Sequence, residues 1–83
     1  MAYRVIWSPK SKEGLKKLEP GLAGRIVKKV AELELAPYHF IEKMTDADCW
    51  KLRVGDYRAL LDIDEKKKEI QVLKVGHRKN IYK

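Results

Sequence analysis

A single cysteine, Cys49, stands in a chain of 83 residues. It cannot close an internal disulfide, and alone it cannot build a thiolate metal site. It reads as a small packed apolar residue in a reducing cytosol. Glycine and proline are sparse, at 5 and 3, and no Pro/Gly/Ser-rich stretch divides the chain, so residues 1–83 read as one domain. No apolar run approaches the roughly 20 residues that span a bilayer. Met1-Ala2-Tyr3-Arg4 runs straight into a strand-like alternation, without the pattern of a signal peptide. These absences predict a soluble, cytoplasmic domain with no membrane association. The two histidines, His39 and His77, lie far apart without a nearby carboxylate pair. Neither a metal nor a small-molecule cofactor is expected from so poor a ligand set.

Negative charge is also short. Twelve Asp+Glu face 19 Lys+Arg, which leaves +7. The excess is +3 before Lys43 and +4 from there on, so no single tail carries it. A folded domain with spread positive charge and a pI near 9.6 points to a polyanionic partner, nucleic acid first. The plainer reading is solubility, because net charges of about 2–8 are ordinary for a small domain.

What is present falls into short elements. Tyr3, Val5 and Trp7 alternate with Arg4 and Ile6 as a first strand. Ser8-Pro9 starts a helix, with Ser8 as N-cap and Pro9 at the first helical position. Leu15 and Leu18 give that helix a thin apolar stripe, and Gly14 weakens it. A second helix opens at Pro20-Gly21. It carries Leu22, Ile26, Val30 and Leu33 on one side, Arg25, Lys28, Lys29 and Glu32 on the other, and ends near Ala36-Pro37. Residues 38–48 have no clean period and read as a loop whose Phe40 and Ile41 tuck onto the core. Strands then follow at 50–54, from Tyr57 to about Asp64, and from Ile70 to Val75. The charged turn between the last two, with Asp62, Asp64, Glu65 and Glu69 around it, reads as solvated. The order is β-α-α-β-β-β, an α+β fold. Two N-terminal helices pack on one face of a small twisted antiparallel sheet, and the other face stays partly open.

The hairpin carries the sharpest clue. If Gly55-Asp56 is a two-residue turn, Val54 pairs with Tyr57, Arg53 with Arg58 and Leu52 with Ala59. Arg53 and Arg58 then face each other, with Lys51 on the same side, although like charges directly opposite are destabilising. Trp50, Leu52 and Val54 take the helix side, which leaves the cations on the uncovered face, where they suit phosphate. The competing reading is a solvated basic face whose long side chains splay apart. The ending Gly76-His77-Arg78-Lys79-Asn80-Ile81-Tyr82 follows an apolar strand directly. Arginine beside an aromatic ring is a recurrent RNA-binding pairing, though a frayed basic terminus accounts for it equally.

Together, Lys51-x-Arg53, Tyr57-Arg58 and Arg78 with Tyr82 resemble the RelE toxin family, within a fold similar to microbial ribonucleases. The resemblance spans nearly the whole chain. It rests on Ser8-Pro9, the paired helices, the Leu52-to-Arg58 hairpin and the closing Val75-to-Tyr82 segment. It implies the toxin of a type II toxin–antitoxin system, a metal-independent endoribonuclease that cleaves messenger RNA in the ribosomal A site and inhibits translation. The 2′-hydroxyl attacks the adjacent phosphate and leaves a cyclic phosphate. By position, Lys51 and Arg53 match a lysine pair associated with proton transfer. Arg58 and Arg78 match arginines that stabilise the transition state, and Tyr82 matches a tyrosine that stacks on or orients the nucleotide. His77 and Lys79 join these as RNA-binding candidates. The implied partners are a cognate RelB-like antitoxin, the ribosome and messenger RNA.

Chemistry supports that division of roles. Guanidinium stays charged at neutral pH, so Arg58 and Arg78 serve only as charge and donors. A lysine among cations has its proton affinity lowered, which makes Lys51 the candidate general base. Arg53 stands where the best-known members carry a second lysine, which removes one proton carrier. His77 is a further acid–base candidate, but strand alternation turns it away from Arg78. A ParE-like toxin that binds and poisons DNA gyrase is the alternative on the same fold. An inactivated member kept as a binding module is another.

Overall fold

In the computed structural model, residues 2–45 and 48–81 are described. The alternation around Val5 and Trp7 forms β1 (Arg4–Trp7), and Ser8 ends it by capping α1 (Pro9–Lys16). Ser8 Oγ accepts from the Ser11 amide at 3.0 Å and donates to the Leu73 carbonyl at 2.9 Å. One hydroxyl therefore satisfies a helix N–H and ties the helix start to the sheet. α2 (Pro20–Glu32) opens on proline and places Ile26 and Val30, one turn apart, in the core. It ends a few residues before Ala36-Pro37, because the Leu33 and Glu34 amides tighten onto the Val30 and Ala31 carbonyls. The Glu34 carbonyl then accepts from the Tyr3 amide.

Four further strands complete the chain: β2 (Ile41–Lys43), β3 (Trp50–Val54), β4 (Tyr57–Asp64) and β5 (Glu69–His77). The sheet order is β1-β5-β4-β3-β2. The architecture is α+β, with two differences from the sequence reading. The sheet is mixed rather than wholly antiparallel, because β1 runs parallel to β5. It also has a fifth strand in the stretch read as a loop, since residues 41–43 pair antiparallel with 50–52. Three residues are too few to show a period; pairing with β3 makes that strand. Ile41 packs on the core as expected, but Phe40 stays exposed, with the Lys29 ammonium 4.3 Å from its ring centroid.

The core joins Ile26, Val30 and Leu33 to Leu52, Val54, Ala59, Leu61, Ile70, Val72 and Val75, with Trp7 and Trp50 packed against it. α1 is pressed against β5: a Cβ built on Gly14 would lie 2.4 Å from the Val75 carbonyl oxygen. Glycine is what permits that approach, and it offsets the helix propensity lost there. The register between β4 and β5 shifts between Leu60 and Leu61, which skips Leu73, the residue whose carbonyl Ser8 holds.

The turn read as merely solvated is a hub. Glu65 accepts from the Tyr3 hydroxyl at 2.5 Å and from the Tyr38 hydroxyl, and pairs with Lys68 at 3.2 Å. Asp64 accepts from the Lys66 and Lys67 amides, and Glu69 binds Arg4 at 2.6 Å. The two tyrosine donors hold the Glu65 carboxyl down at about 2, and Glu65 as acceptor pushes Tyr38 up to about 12.

Two outcomes follow from this packing. Gly14→Ala should lower the urea midpoint, at a cost of about 2 kcal/mol or more from overpacking against backbone. Gly24→Ala, in open space within α2, should raise stability by about 0.5–1 kcal/mol. For Glu65, the lowered carboxyl contributes stability above its ordinary value of 4.5, and this is lost as pH falls through about 2. Glu65→Gln should therefore be less stable than the native chain at neutral pH and equal to it in strong acid. An ultraviolet titration should show Tyr38 falling from about 12 towards 10.

Candidate nucleic-acid interface

Gly55, with φ of +60°, starts a two-residue reversal, and Asp56 completes it. A positive φ at the first central position alone is the primed-turn geometry that suits the twist of the flanking strands. The register follows: Val54 pairs with Tyr57, Arg53 with Arg58, Leu52 with Ala59 and Lys51 with Leu60. Leu52, Val54 and Ala59 are buried, whereas Arg53 is exposed and Lys51 and Arg58 are half-buried. Alternation thus places Lys51, Arg53 and Arg58 together on the face that the core does not use.

Each arginine is braced. Arg58 donates from Nη1 to the Gly55 and Tyr57 carbonyls, both at 2.9 Å, which folds its guanidinium onto the turn. The other N–H groups of the guanidinium are not needed for those bonds. Arg78 follows β5 directly. Its amide donates to the Asp56 carbonyl at 2.8 Å, and its Nε lies 3.9 Å from Asp56 Oδ1. Arg58 and Arg78 therefore gather at the same turn from separate strands. Arg53 leans the other way, its Nε 3.4 Å from Glu42 Oε1 on β2. Glu42 also sits opposite Lys51 in register.

These carboxylates alter the reading of the cluster. The cations are not unaccompanied: Glu42 lies beside Arg53 and Asp56 beside Arg78. Glu42 was missed because β2 was not legible; Asp56 was taken only as a turn former. On α2, Arg25, Lys28, Lys29 and Glu32 lie on the side away from the apolar stripe, as their spacing predicts. These residues line a groove of about 320 Å³ with Arg53, Val54 and Gly55, in which Glu32 lies 3.5 Å from the Lys29 ammonium, so a surface with more cations than carboxylates continues from the sheet onto α2. The i, i+3 and i+4 spacing of Arg25, Lys28 and Lys29 was the available signal.

His77 and Arg78 do diverge. The His77 ring meets Tyr57 edge-on, with centroids 5.2 Å apart, and its Nδ1 accepts from the Lys79 amide at 3.1 Å. Lys79 is exposed on the closing turn. Tyr82 lies outside the described residues. Among the described residues, no group of three or more His, Cys, Asp or Glu could hold a metal ion, and no helix is long and apolar enough to cross a membrane.

Residues 5–82 match the family model described as the ParE toxin of the type II toxin–antitoxin system parDE. The chain belongs to the RelE/ParE toxin superfamily. Solved structures agree with its fold. The RelBE2 toxin–antitoxin complex of Mycobacterium tuberculosis contains a chain that is 26% identical, with a TM-score of 0.86, over 94% of this chain and 100% of that one. A chain of the archaeal RelE–RelB complex from Pyrococcus horikoshii is also 26% identical, with a TM-score of 0.79, over 96% of this chain and 99% of that one. A mutant of Escherichia coli RelE in the free state, with two arginines changed to alanine, is 26% identical, with a TM-score of 0.77, over 93% of this chain and 84% of that one. No curated protein sequence matches significantly. This superfamily member therefore has a RelE-like toxin fold.

Relieving a brace exposes the balance of charges. Glu42→Gln should free Arg53 and tighten binding to a single-stranded oligonucleotide several-fold at low salt. Fluorescence anisotropy should show the salt dependence steepening by about 0.7 for each cation released.

Proposed function

We propose that this chain is the toxin of a type II toxin–antitoxin pair that cleaves messenger RNA in the ribosomal A site. The observation that carries this reading is the gathering of Arg58 and Arg78 at the β3–β4 turn, with Lys51 and Arg53 alongside on the open face. A phosphate there would take charge-assisted N–H donors from guanidiniums that are already positioned.

In the proposed reaction, the ribose 2′-hydroxyl loses its proton to Lys51 and its oxygen bonds to the adjacent phosphorus. The bond to the 5′-oxygen then breaks. A cyclic phosphate remains, and the departing 5′-oxygen takes a proton from water to become a hydroxyl. Arg58 and Arg78 stabilise the extra negative charge of the five-coordinate phosphorus. Arg58 is folded onto the turn before substrate arrives, so it needs little reorganisation during the reaction. Arg53 supplies fixed positive charge beside Lys51. Tyr82 is assigned by its place in the sequence to orient the nucleotide, and Lys79 to contact the backbone. No step is assigned to a metal or cofactor.

The antitoxin is proposed to be RelB-like, since RelE-type chains in the Mycobacterium tuberculosis and Pyrococcus horikoshii structures occur in RelBE and RelE–RelB complexes. An acidic or amphipathic segment would complement the net charge of +7. Such a pair acts in the cytoplasm. The match to a model described as ParE gives the second reading, a gyrase poison, a specific basis. The ordered arginines favour the nuclease, because a toxin acting by binding alone needs no convergent phosphate site.

Ribosome toeprinting separates the two. The native chain should give breaks within translated messages that end in cyclic phosphate. Arg58→Ala or Arg78→Ala should slow cleavage on the order of 10²-fold or more. Lys51→Ala should lose cleavage while keeping RNA binding. DNA breaks with intact messages would establish the gyrase reading instead.

A further inference from the structure

A groove of about 420 Å³ opens between α1 and the end of β5. Lys10, Glu13, Gly14, Lys17 and Leu18 form one wall, at the spacing of a single helix face. Tyr57, the end of β5 and the closing turn form the other. Its volume falls within the range of about 300–1,000 Å³ typical of small-molecule sites. None of the roles proposed above uses it.

The alternation that builds the phosphate site also builds this groove. Tyr57 precedes Arg58, and His77 precedes Arg78. Tyr57 and His77 are register partners at the ends of their strands. Each dipeptide therefore directs its arginine to the β3–β4 turn and its ring to the groove. Both rings are half-buried and stand edge to face at 84°. A planar group can stack on one and meet the edge of the other.

The His77 tautomer is set by its neighbour. Because Nδ1 accepts the Lys79 amide, the neutral ring carries its proton on Nε2, which becomes a donor. Asn80 adds a side-chain amide to the lining, and its own amide donates to the His77 carbonyl at 2.9 Å. The Ile81 amide does the same, and its buried side chain lies against Gly76, so the wall is held as a compact turn. Lys10 and Lys17 bring positive charge from the helix, against Glu13 alone among acidic lining residues. Stacking faces, fixed hydrogen-bond donors and flanking ammonium groups are the chemistry of an unpaired nucleotide.

We propose that this groove binds the base of the nucleotide next to the scissile phosphate, with the base stacked on Tyr57 and its edge met by His77 Nε2 and the Asn80 side chain. The proposal rests on the RNA-cleaving reading and deepens it. The arginines hold a phosphate common to every sequence, and the groove gives the toxin its base preference.

NMR of the whole chain tests this through its aromatic proton–carbon and arginine side-chain proton–nitrogen signals, with AMP, GMP, CMP and UMP as probes and inorganic phosphate as the base-free control. The Tyr57 and His77 ring signals should move with at least one nucleotide and stay still with phosphate. His77→Leu should weaken that nucleotide about tenfold, the order expected when a hydrogen bond to the base edge is lost. Nucleotides that move the Arg58 and Arg78 side-chain signals but leave both rings unmoved would overturn the groove and leave the RNA reading standing. Silence at the arginines and the rings alike would overturn both. In toeprinting, His77→Leu should redistribute cleavage among codons. A uniform loss at every codon, with the fold retained, would make His77 an acid–base group and overturn base reading.

Discussion

With φ near +60° at Gly55, the chain reverses in two residues, and the pairing of β3 with β4 follows from where that reversal falls. A strand has a side-chain period of two, so a slip of one residue would send Lys51 and Arg53 into the core and Leu52 and Val54 to solvent. Burial of Leu52, Val54, Ala59 and Leu61 opposes such a slip. The apolar set on one face thereby fixes the cations on the other. The same turn offers one carbonyl to the Arg58 guanidinium and another to the Arg78 backbone amide, so one reversal both sets the register and brings the two residues together.

Holding like charges together is unfavourable, and the structure meets that cost locally. Glu42 and Asp56 are exposed partners of Arg53 and Arg78. In water, such pairs contribute only about 0.2–1 kcal/mol each. That weakness suits a binding surface, because a polyanion can displace the internal carboxylates at little expense. Shorter contacts sit elsewhere. Close packing of α1 on β5 and the hub of Tyr3, Tyr38 and Lys68 around Glu65 tie the helices, loop and turns to the sheet. Close packing and the basic face thus occupy different parts of a small domain.

Much of this was legible in the residues. Ser8-Pro9 marked the start of α1, the alternation of β3 set its faces, and Gly55-Asp56 gave the cross-strand partners. All of these depend on neighbours a few positions away. Less legible were features that join distant segments. The parallel pairing of β1 with β5 links residues 4–7 to 69–72. The strand nature of 41–43 exists only through β3, and the end of α2 is set by its own last turn and by Tyr3. Gly14 looked like a weakness in its helix until Val75 was found against it.

The chain's own pattern determined which residues are cationic, which are apolar, and where the backbone turns. From these came an α+β fold with a basic open face, because side-chain periodicity and turn chemistry are local properties. Tertiary structure alone decided which carboxylates accompany the arginines, how Arg78 reaches the hairpin, and that α1 and β5 enclose a groove. Those are questions of distance between segments far apart in sequence. Packing of the whole core answers them, through the volume and direction of side chains that no short window contains.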